Sequence, residues 1–177
     1  TADDLAAATA AGRRVVHRAG ILAALCALRP TVAVSGTHGK TSTTAMLATL
    51  LDGIGADASW LVGAVPAGLG RAARWGAPTA PFAVEADESD GSFLELGAAT
   101  AVVTNVDEDH LDHWGSIAEI EAAFDRFLGA AGRRVVCIDD PAVDGRADPR
   151  ASRLASAHGA VTVGEAPGAR YLLHDIE

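Results

Sequence analysis

The sequence predicts an α/β domain in which a mainly parallel β-sheet carries helices on both faces. Two observations lead to this prediction. Short apolar runs, typical of buried strands, alternate along the chain with segments of helical periodicity. Three of these runs end in polar clusters, as expected where a ligand binds beyond the carboxyl ends of parallel strands.

Four segments have the pattern of helices. Residues 13–28 carry apolar side chains at helical spacing until a proline ends the pattern, and residues 41–51 form a second helix that two glycines stop. Ser116 and Glu119 form a capping box ahead of apolar residues at three- and four-residue steps. A shorter helix is predicted over 151–158.

The predicted strands are short and mostly apolar, which is typical of strands buried on both faces. They span residues 31–35, 58–62, 82–86, 101–105 and 134–138, with shorter strands over 161–163 and 171–173. Residues 63–81 are rich in Gly, Pro and Ala, so we predict a loop with one helical turn there.

Composition limits the classes of function. The 177 residues suit one domain, and a formal net charge of -9 argues against nucleic acid or an anionic membrane surface as partner. No apolar run is long enough to span a bilayer, and the start lacks the basic segment of a signal peptide, so we expect a cytoplasmic protein. Cys26 and Cys137 stand apart in apolar runs and are expected to be buried free thiols.

The first polar cluster follows the strand at 31–35 and precedes a helix, an arrangement that places backbone N–H groups where they can cradle a phosphate. Its residues are Gly36, Thr37, His38, Gly39, Lys40, Thr41 and Ser42. The lysine, the only one in the chain, would reach the outer phosphates, and the threonine hydroxyl would face Mg²⁺. The motif is a short form, because Val34 occupies the place of the first glycine of the common phosphate loop. The alternative is an ordinary turn in which a hydroxyl caps the helix.

The second cluster places four carboxylates within six residues after the strand at 82–86. A hard cation near nucleotide phosphates would explain their grouping. Glu85 lies inside the apolar run, so we predict that it is partly buried and binds a metal, with a purely structural carboxylate as the alternative. Asp87, Glu88 and Asp90 are expected to form a solvated acidic loop.

The third cluster, VDEDHLDH, follows the strand at 101–105. His110 is favoured as a site residue, because the end of its strand should lie beside the other two clusters. We expect His113 and His38 to be solvated, although the latter could line a nucleotide site.

Three blocks in order, VAVSGTHGKTSTTAML, VEADESDGSFLEL and AVVTNVDEDHLDHW, resemble the Mur ligase family of peptidoglycan synthesis, and its P-loop-type central domain in particular. The resemblance implies ATP-dependent amide-bond formation, in which a substrate carboxylate becomes an acyl phosphate and an amine then displaces the phosphate. It assigns Lys40 to the β- and γ-phosphates, Thr41 and Glu85 to one Mg²⁺, Glu85 and His110 to a second, and Asn105 to the same pocket.

Within the family, GTHGKT and EADESD resemble the branch that adds L-alanine to UDP-N-acetylmuramate, and Ser89 favours that branch over the muropeptide-recycling branch. Some relatives use a carbamoylated lysine after the histidine, which this chain lacks. The Gly63-Ala64 pair and the LGRAARWG segment depart from the family's substrate loop, which puts substrate positioning in doubt.

Residues 1–177 are expected to form one ATP-binding domain that ends early, with the UDP-sugar domain and the C-terminal domain of the family missing. Such a fragment would be inactive as a ligase by itself. Two other classes remain open: a stand-alone ATPase or nucleotide switch, and a non-catalytic remnant. The intact set of Lys40, Thr41, Glu85 and His110 argues against the remnant.

Overall fold

A computed structural model describes residues 2–140, the backbone of 142–143 and 146–147, and residues 149–174. Its strands are β1 (Thr31–Ser35), β2 (Ser59–Leu61), β3 (Ala73–Arg74), β4 (Phe82–Glu85), β5 (Thr100–Val103), β6 (Arg133–Cys137), β7 (Ala142–Val143), β8 (Arg146–Ala147), β9 (Val161–Gly164) and β10 (Tyr171–Leu172). The helices are α1 (Ala2–Ala10), α2 (Arg18–Cys26), α3 (Lys40–Gly53), α4 (Leu111–Trp114), α5 (Ile117–Ala130) and α6 (Arg150–His158), with a 3₁₀ turn over Ser92–Glu95. No helix in these described ranges is long and apolar enough to cross a membrane.

Eight strands form one sheet in the order β10-β9-β6-β5-β1-β4-β2-β3. Neighbouring strands are parallel, except that β3 pairs antiparallel with β2 at one edge. The short strands β7 and β8 form a separate antiparallel pair. Because β1 lies between β4 and β5, the three strands that carry the polar clusters are direct neighbours.

Helices cover both faces of the sheet, as predicted. Along β4, Phe82 and Val84 point into the larger core, which the side chains of α2, α5 and α6 complete. Ala83 points the opposite way and packs with Ala48 of α3 and Trp60 of β2 in a smaller core. The fold-class prediction is therefore confirmed, and α3, which follows the glycine-rich loop, is held against the centre of the sheet.

The helices differ from the prediction mainly at their ends. The helix predicted from residue 13 begins at Arg18, because the His17 side chain accepts a hydrogen bond from the Ala19 N–H and caps α2 there. Val15 and Val16 precede the helix and are exposed. The helix α1 was not predicted, and neither was α4. Ser116 caps α5 as predicted, accepting the backbone N–H of Glu119 at 3.4 Å.

One loop prediction, one strand prediction and one cysteine prediction also need correction. The strand β3 lies in the segment predicted as loop, where it pairs with β2. The strand predicted to reach residue 105 ends at Val103, because the next side chains leave the ladder to bond the glycine-rich loop. Both cysteines are free, but only Cys26 is buried, whereas Cys137 is partly exposed.

Candidate functional site

The three polar clusters meet at one edge of the sheet, as their positions in the sequence predicted. In the register of the parallel strands, Val34 of β1 pairs with Glu85 of β4, and Ser35 pairs with Val103 of β5. The glycine-rich loop, the acidic block and the histidine loop therefore leave the sheet side by side.

Two glycines let the loop turn tightly into α3. Gly36 has a φ of +135°, and a Cβ there would overlap Thr104 Oγ1 and lie 3.0 Å from the backbone N and O of Asn105. Gly39 has a φ of +80° and is the N-cap of α3. The first N–H groups of α3 have no acceptor within the helix, so they are available to an anion at this end.

The segment after β5 anchors the loop. Asn105 accepts the His38 backbone N–H at 2.8 Å and donates its amide to the His38 carbonyl at 3.0 Å. The Thr37 hydroxyl accepts the Asp107 N–H at 2.9 Å and donates to the Asp107 carbonyl at 3.3 Å. Asn105 and Thr37 thus hold the shape of the loop, while the His38 side chain is exposed, as expected, and Ser42 is exposed on the first turn of α3.

The Lys40 side chain folds back over its own loop. Its Nζ donates to the carbonyls of Gly36 at 2.8 Å and Thr37 at 3.2 Å, and to Glu88 Oε1 at 2.8 Å. The Lys40 and Glu88 side chains are 14% and 4% exposed, so this ion pair is shielded from water. The sequence singled out the lysine correctly but did not predict its partner.

Glu88 contradicts the expectation of a solvated carboxylate. Its Oε2 is buried and has no hydrogen-bond partner among the described residues, and its backbone carbonyl accepts the indole N–H of Trp114 at 3.0 Å. Burial raises the pKa of the Glu88 carboxyl, and the hydrogen bond from Lys40 opposes that effect. Asp87 and Asp90 are more exposed and lie near Arg18, at 3.6 and 3.4 Å.

Glu85 is partly buried, as predicted, and lies beside the start of α3. Its Oε1 accepts the Thr41 hydroxyl at 2.8 Å, and its Oε2 accepts the Gly63 N–H at 2.7 Å. A Cβ at Gly63 would lie 2.7 Å from that same oxygen, so only glycine allows this approach. Glu85 and Thr41 therefore present two neighbouring oxygens, which are the ligand type that Mg²⁺ prefers.

His110 adopts a left-handed backbone conformation, φ +52°, as the N-cap of α4. Its Nε2 lies 3.9 Å from Glu88 Oε1 and 3.7 Å from Asp109 Oδ2, so the ring faces the Lys40–Glu88 pair. His113 stacks edge-on against Trp114, with ring centroids 4.8 Å apart.

The described acidic and histidine side chains of the site do not form a complete metal site by themselves. Across the ranges that the structure describes, no three His, Cys, Asp or Glu side chains are grouped closely enough to hold a metal ion by themselves. The adjacent oxygens of Glu85 and Thr41 suit a hard cation that takes its remaining ligands from phosphate oxygens and water. The Oε2 of Glu88, in the same acidic block, is a buried oxygen without a hydrogen-bond partner among the described residues.

Sequence reasoning also missed Arg150, which lies on α6 far along the chain. Its guanidinium is 6% exposed and approaches Asp107 at 3.5 Å, Glu108 at 3.6 Å and Glu121 at 3.5 Å. It thereby fixes the segment whose Asp107 backbone bonds Thr37 of the loop. A basic residue in an amphipathic helix gives no sequence signal of such long-range contacts.

A cavity of about 220 Å³ adjoins the acidic side of the site. Its polar lining includes Glu85, Asp87 and Arg18, and its apolar lining includes Leu22 and Phe93. The cavity therefore opens next to the proposed metal-binding carboxylate.

The sequence matches the family described as the Mur ligase middle domain over residues 34–172. It is 45% identical over 175 residues to the UDP-N-acetylmuramate–L-alanine ligase of Arthrobacter sp. (strain FB24), covering 97% of this chain and 37% of that ligase. It is 44% identical over 165 residues to the ligase of the same name from Rhizobium meliloti (strain 1021), covering 92% and 34%. The chain thus spans about a third of the length of these curated relatives.

Solved structures show the same fold. The UDP-N-acetylmuramate–alanine ligase of Thermotoga maritima matches with a TM-score of 0.66 at 28% identity, over 82% of this chain and 31% of that one. The UDP-N-acetylmuramate:L-alanyl-γ-D-glutamyl-meso-diaminopimelate ligase of Neisseria meningitides matches with a TM-score of 0.72 at 23% identity, over 92% and 54%. The second likeness bears on the fold alone.

Proposed function

The chain belongs to the Mur ligase middle-domain family, and from this premise we propose that it is the ATP-binding part of an enzyme that joins L-alanine to UDP-N-acetylmuramate. One observation carries the proposal. A glycine-rich loop at the N-terminus of α3 brings Lys40 and Thr41 together with Glu85 of the neighbouring strand β4. Two curated relatives that align over 97% and 92% of this chain, at 45% and 44% identity, are named UDP-N-acetylmuramate–L-alanine ligase.

We assign the following roles to the site residues. The loop from Gly36 to Ser42 binds the phosphates of ATP through backbone N–H groups, and Lys40 neutralises their outer oxygens. Thr41 and Glu85 would hold Mg²⁺. His110, whose ring lies 3.9 Å from Glu88, would contribute with Glu85 to a second metal position. Bound there, Mg²⁺ supplies positive charge that offsets the charge on the phosphates.

In the proposed reaction the carboxylate of UDP-N-acetylmuramate takes the γ-phosphoryl group of ATP, which releases ADP and leaves an acyl phosphate. The amine of L-alanine then attacks the acyl carbon, displaces inorganic phosphate and loses a proton. This chain contributes position and charge, because none of the described site residues is placed as a covalent nucleophile. Asn105 keeps the loop in the shape that the phosphates require, through both of its bonds to the His38 backbone. We propose UDP-N-acetylmuramate and L-alanine as substrates of the whole ligase, of which this chain would be the ATP-binding part. A cytoplasmic location stays a prediction.

The proposal is tested by titrating ATP into the chain by calorimetry, with Mg²⁺ and with EDTA. We expect binding that requires Mg²⁺ and is lost in Lys40→Ala. The matched control is Arg14→Ala, which removes one positive charge from an exposed position before α2. Equal affinity in all three proteins, or none in the folded wild type, would contradict the proposal. Rapid ATP hydrolysis without any UDP-sugar would instead favour a stand-alone ATPase.

A further inference from the structure

The ammonium group of Lys40 has no hydrogen-bond donor left for a ligand. An ammonium carries three N–H donors. In this structure three acceptors of the chain surround it: the carbonyls of Gly36 and Thr37 and the carboxylate of Glu88. A phosphate oxygen can therefore bond Lys40 only when one of these contacts is released.

Of the three partners of Lys40, the Glu88 carboxylate is the one that most strongly repels an incoming phosphate. The two carbonyls are neutral, whereas Glu88 carries a negative charge beside the place where phosphate charge would arrive. Its charge and that of Glu85 outnumber the single charge of Lys40. A bare polyphosphate entering the loop therefore meets repulsion that the backbone N–H groups alone must overcome.

Glu88 is also held firmly in place. The indole of Trp114 donates to its backbone carbonyl, and the side chain is 4% exposed. Its Oε2 is buried without a hydrogen-bond partner among the described residues, so the carboxylate keeps an unused acceptor inside the site. Leaving such an oxygen unpaired is costly, and a cation or a water bound to a cation would satisfy it.

We propose that Glu88 is a positioning residue that holds Lys40 against the carbonyls of the phosphate loop and thereby makes phosphate binding depend on a divalent cation. This inference rests on the proposed function, since it concerns the same phosphate site. A cation offsets the charge of Glu88, so that Lys40 can exchange this partner for a phosphate oxygen. Without a cation, Glu88 and the phosphate compete for the same ammonium.

The first test reads the ion pair without any nucleotide. Lys40 is the only lysine, so acetylation by N-hydroxysuccinimidyl acetate, followed by proteolysis and mass spectrometry, reports on this one amine. Glu88→Gln keeps the shape of the side chain and removes its charge. We expect acetylation of Lys40 to accelerate by about tenfold, because a charge-assisted hydrogen bond is about twice as strong as a neutral one.

Two further variants complete this test. Asp90→Asn removes a charge from the same acidic block at an exposed position near Arg18, and it should leave the acetylation rate unchanged. Glu88→Asp shortens the side chain but keeps its charge; it should accelerate acetylation and serves if Glu88→Gln fails to fold, as judged by circular dichroism. Equal rates in wild type and both Glu88 variants would overturn the proposal.

The second test measures ATP affinity with EDTA and with Mg²⁺. In Glu88→Gln we expect affinity in EDTA to rise by about tenfold, the effect of removing one nearby like charge, and the advantage conferred by Mg²⁺ to shrink accordingly. Asp90→Asn should behave as wild type. One outcome is that wild type binds MgATP while the ratio of ATP affinity in Mg²⁺ to that in EDTA is the same in Glu88→Gln as in wild type. In that case Glu88 does not set the cation dependence, so this inference is wrong while the proposed function stands.

The two proposals fail in different ways. If no protein binds MgATP while acetylation still accelerates in Glu88→Gln, the proposed function is wrong and the retention of Lys40 by Glu88 stands. If Asp90→Asn changes affinity as much as Glu88→Gln does, the effect is one of general charge, and the assignment to Glu88 is wrong.

Discussion

Gly36→Ala tests the close packing between the phosphate loop and the strand beside it. A Cβ at Gly36 would overlap Thr104 Oγ1 and lie 3.0 Å from the backbone of Asn105, and the φ of +135° disfavours any side chain. The backbone conformation costs about 1–3 kcal/mol. Displacing Thr104, whose hydroxyl donates to the His38 carbonyl at 2.6 Å, costs about 1 kcal/mol more. We therefore expect the free energy of unfolding to fall by about 3 kcal/mol.

The assay is urea unfolding followed by circular dichroism, with Gly70→Ala as the control. Gly70 also has a positive φ, +63°, but a Cβ there has no described atom within 4 Å. We expect that control to lose about 1 kcal/mol, from conformation alone. The double variant Gly36→Ala/Thr104→Ala should lose about 1 kcal/mol less free energy of unfolding than the sum of the two single variants. The reason is that Thr104→Ala removes the Oγ1 atom that the new Cβ would overlap.

If Gly36→Ala destabilises the chain no more than Gly70→Ala does, the close approach between the loop and β5 is absent. If the double variant is strictly additive, Thr104 is not the atom that resists the Cβ. The titration of ATP into Gly36→Ala then separates stability from binding, since a displaced loop should weaken binding even where the protein remains folded.

Three further predictions concern other parts of the chain. Arg150→Met should lower the free energy of unfolding by about 1–2 kcal/mol, because it removes a buried guanidinium from acidic partners that are themselves 28–53% exposed and partly screened by water. Arg150→Lys should recover part of the loss, and equal stability of all three proteins in urea would contradict this. Burial raises the pKa of the Cys137 and Cys26 thiols, so both stay protonated at about pH 8 and should react with iodoacetamide more slowly than glutathione. The rate at Cys137 should rise as the pH rises through its raised pKa, whereas Cys26 should react only on unfolding. Ser116→Ala should cost about 1 kcal/mol, the value of a helix cap, and a melting temperature equal to that of wild type would show that the cap contributes nothing.

The sequence could predict the site residues that lie at the end of a predicted strand or in the loop directly after it. Gly36, Lys40 and Glu85 each lie at or just after an apolar run, and parallel strands bring such ends to one edge of the sheet. Glu88 lies in the same acidic block, but its burial depends on Trp114 and Lys40, which are distant in sequence. Spacing within the block could not show which carboxylate turns inward.

The errors in the fold have a similar origin. The two-residue strand β3 carries no periodicity, and it exists because β2 offers it an edge for pairing. The start of α2 depends on the His17 side chain, and the helical spacing of apolar residues extended the predicted helix too far towards residue 13. Arg150 illustrates the largest gap, since its acidic partners come from three separate positions on two other segments.

The geometry around Lys40 also explains why a chain so poor in lysine has one here. Lys40 is the only lysine among 14 basic residues. Three acceptors converge on one point, its Nζ, at distances of 2.8, 3.2 and 2.8 Å. A compact ammonium with three donors on a single nitrogen fits that arrangement, whereas the planar guanidinium of arginine spreads its donors over a rigid fork. Lys40→Arg should therefore lose MgATP binding although it keeps the positive charge, with unfolding in urea as the control for stability. Binding equal to that of wild type would mean that charge alone, and not the convergence of acceptors, is what this position requires.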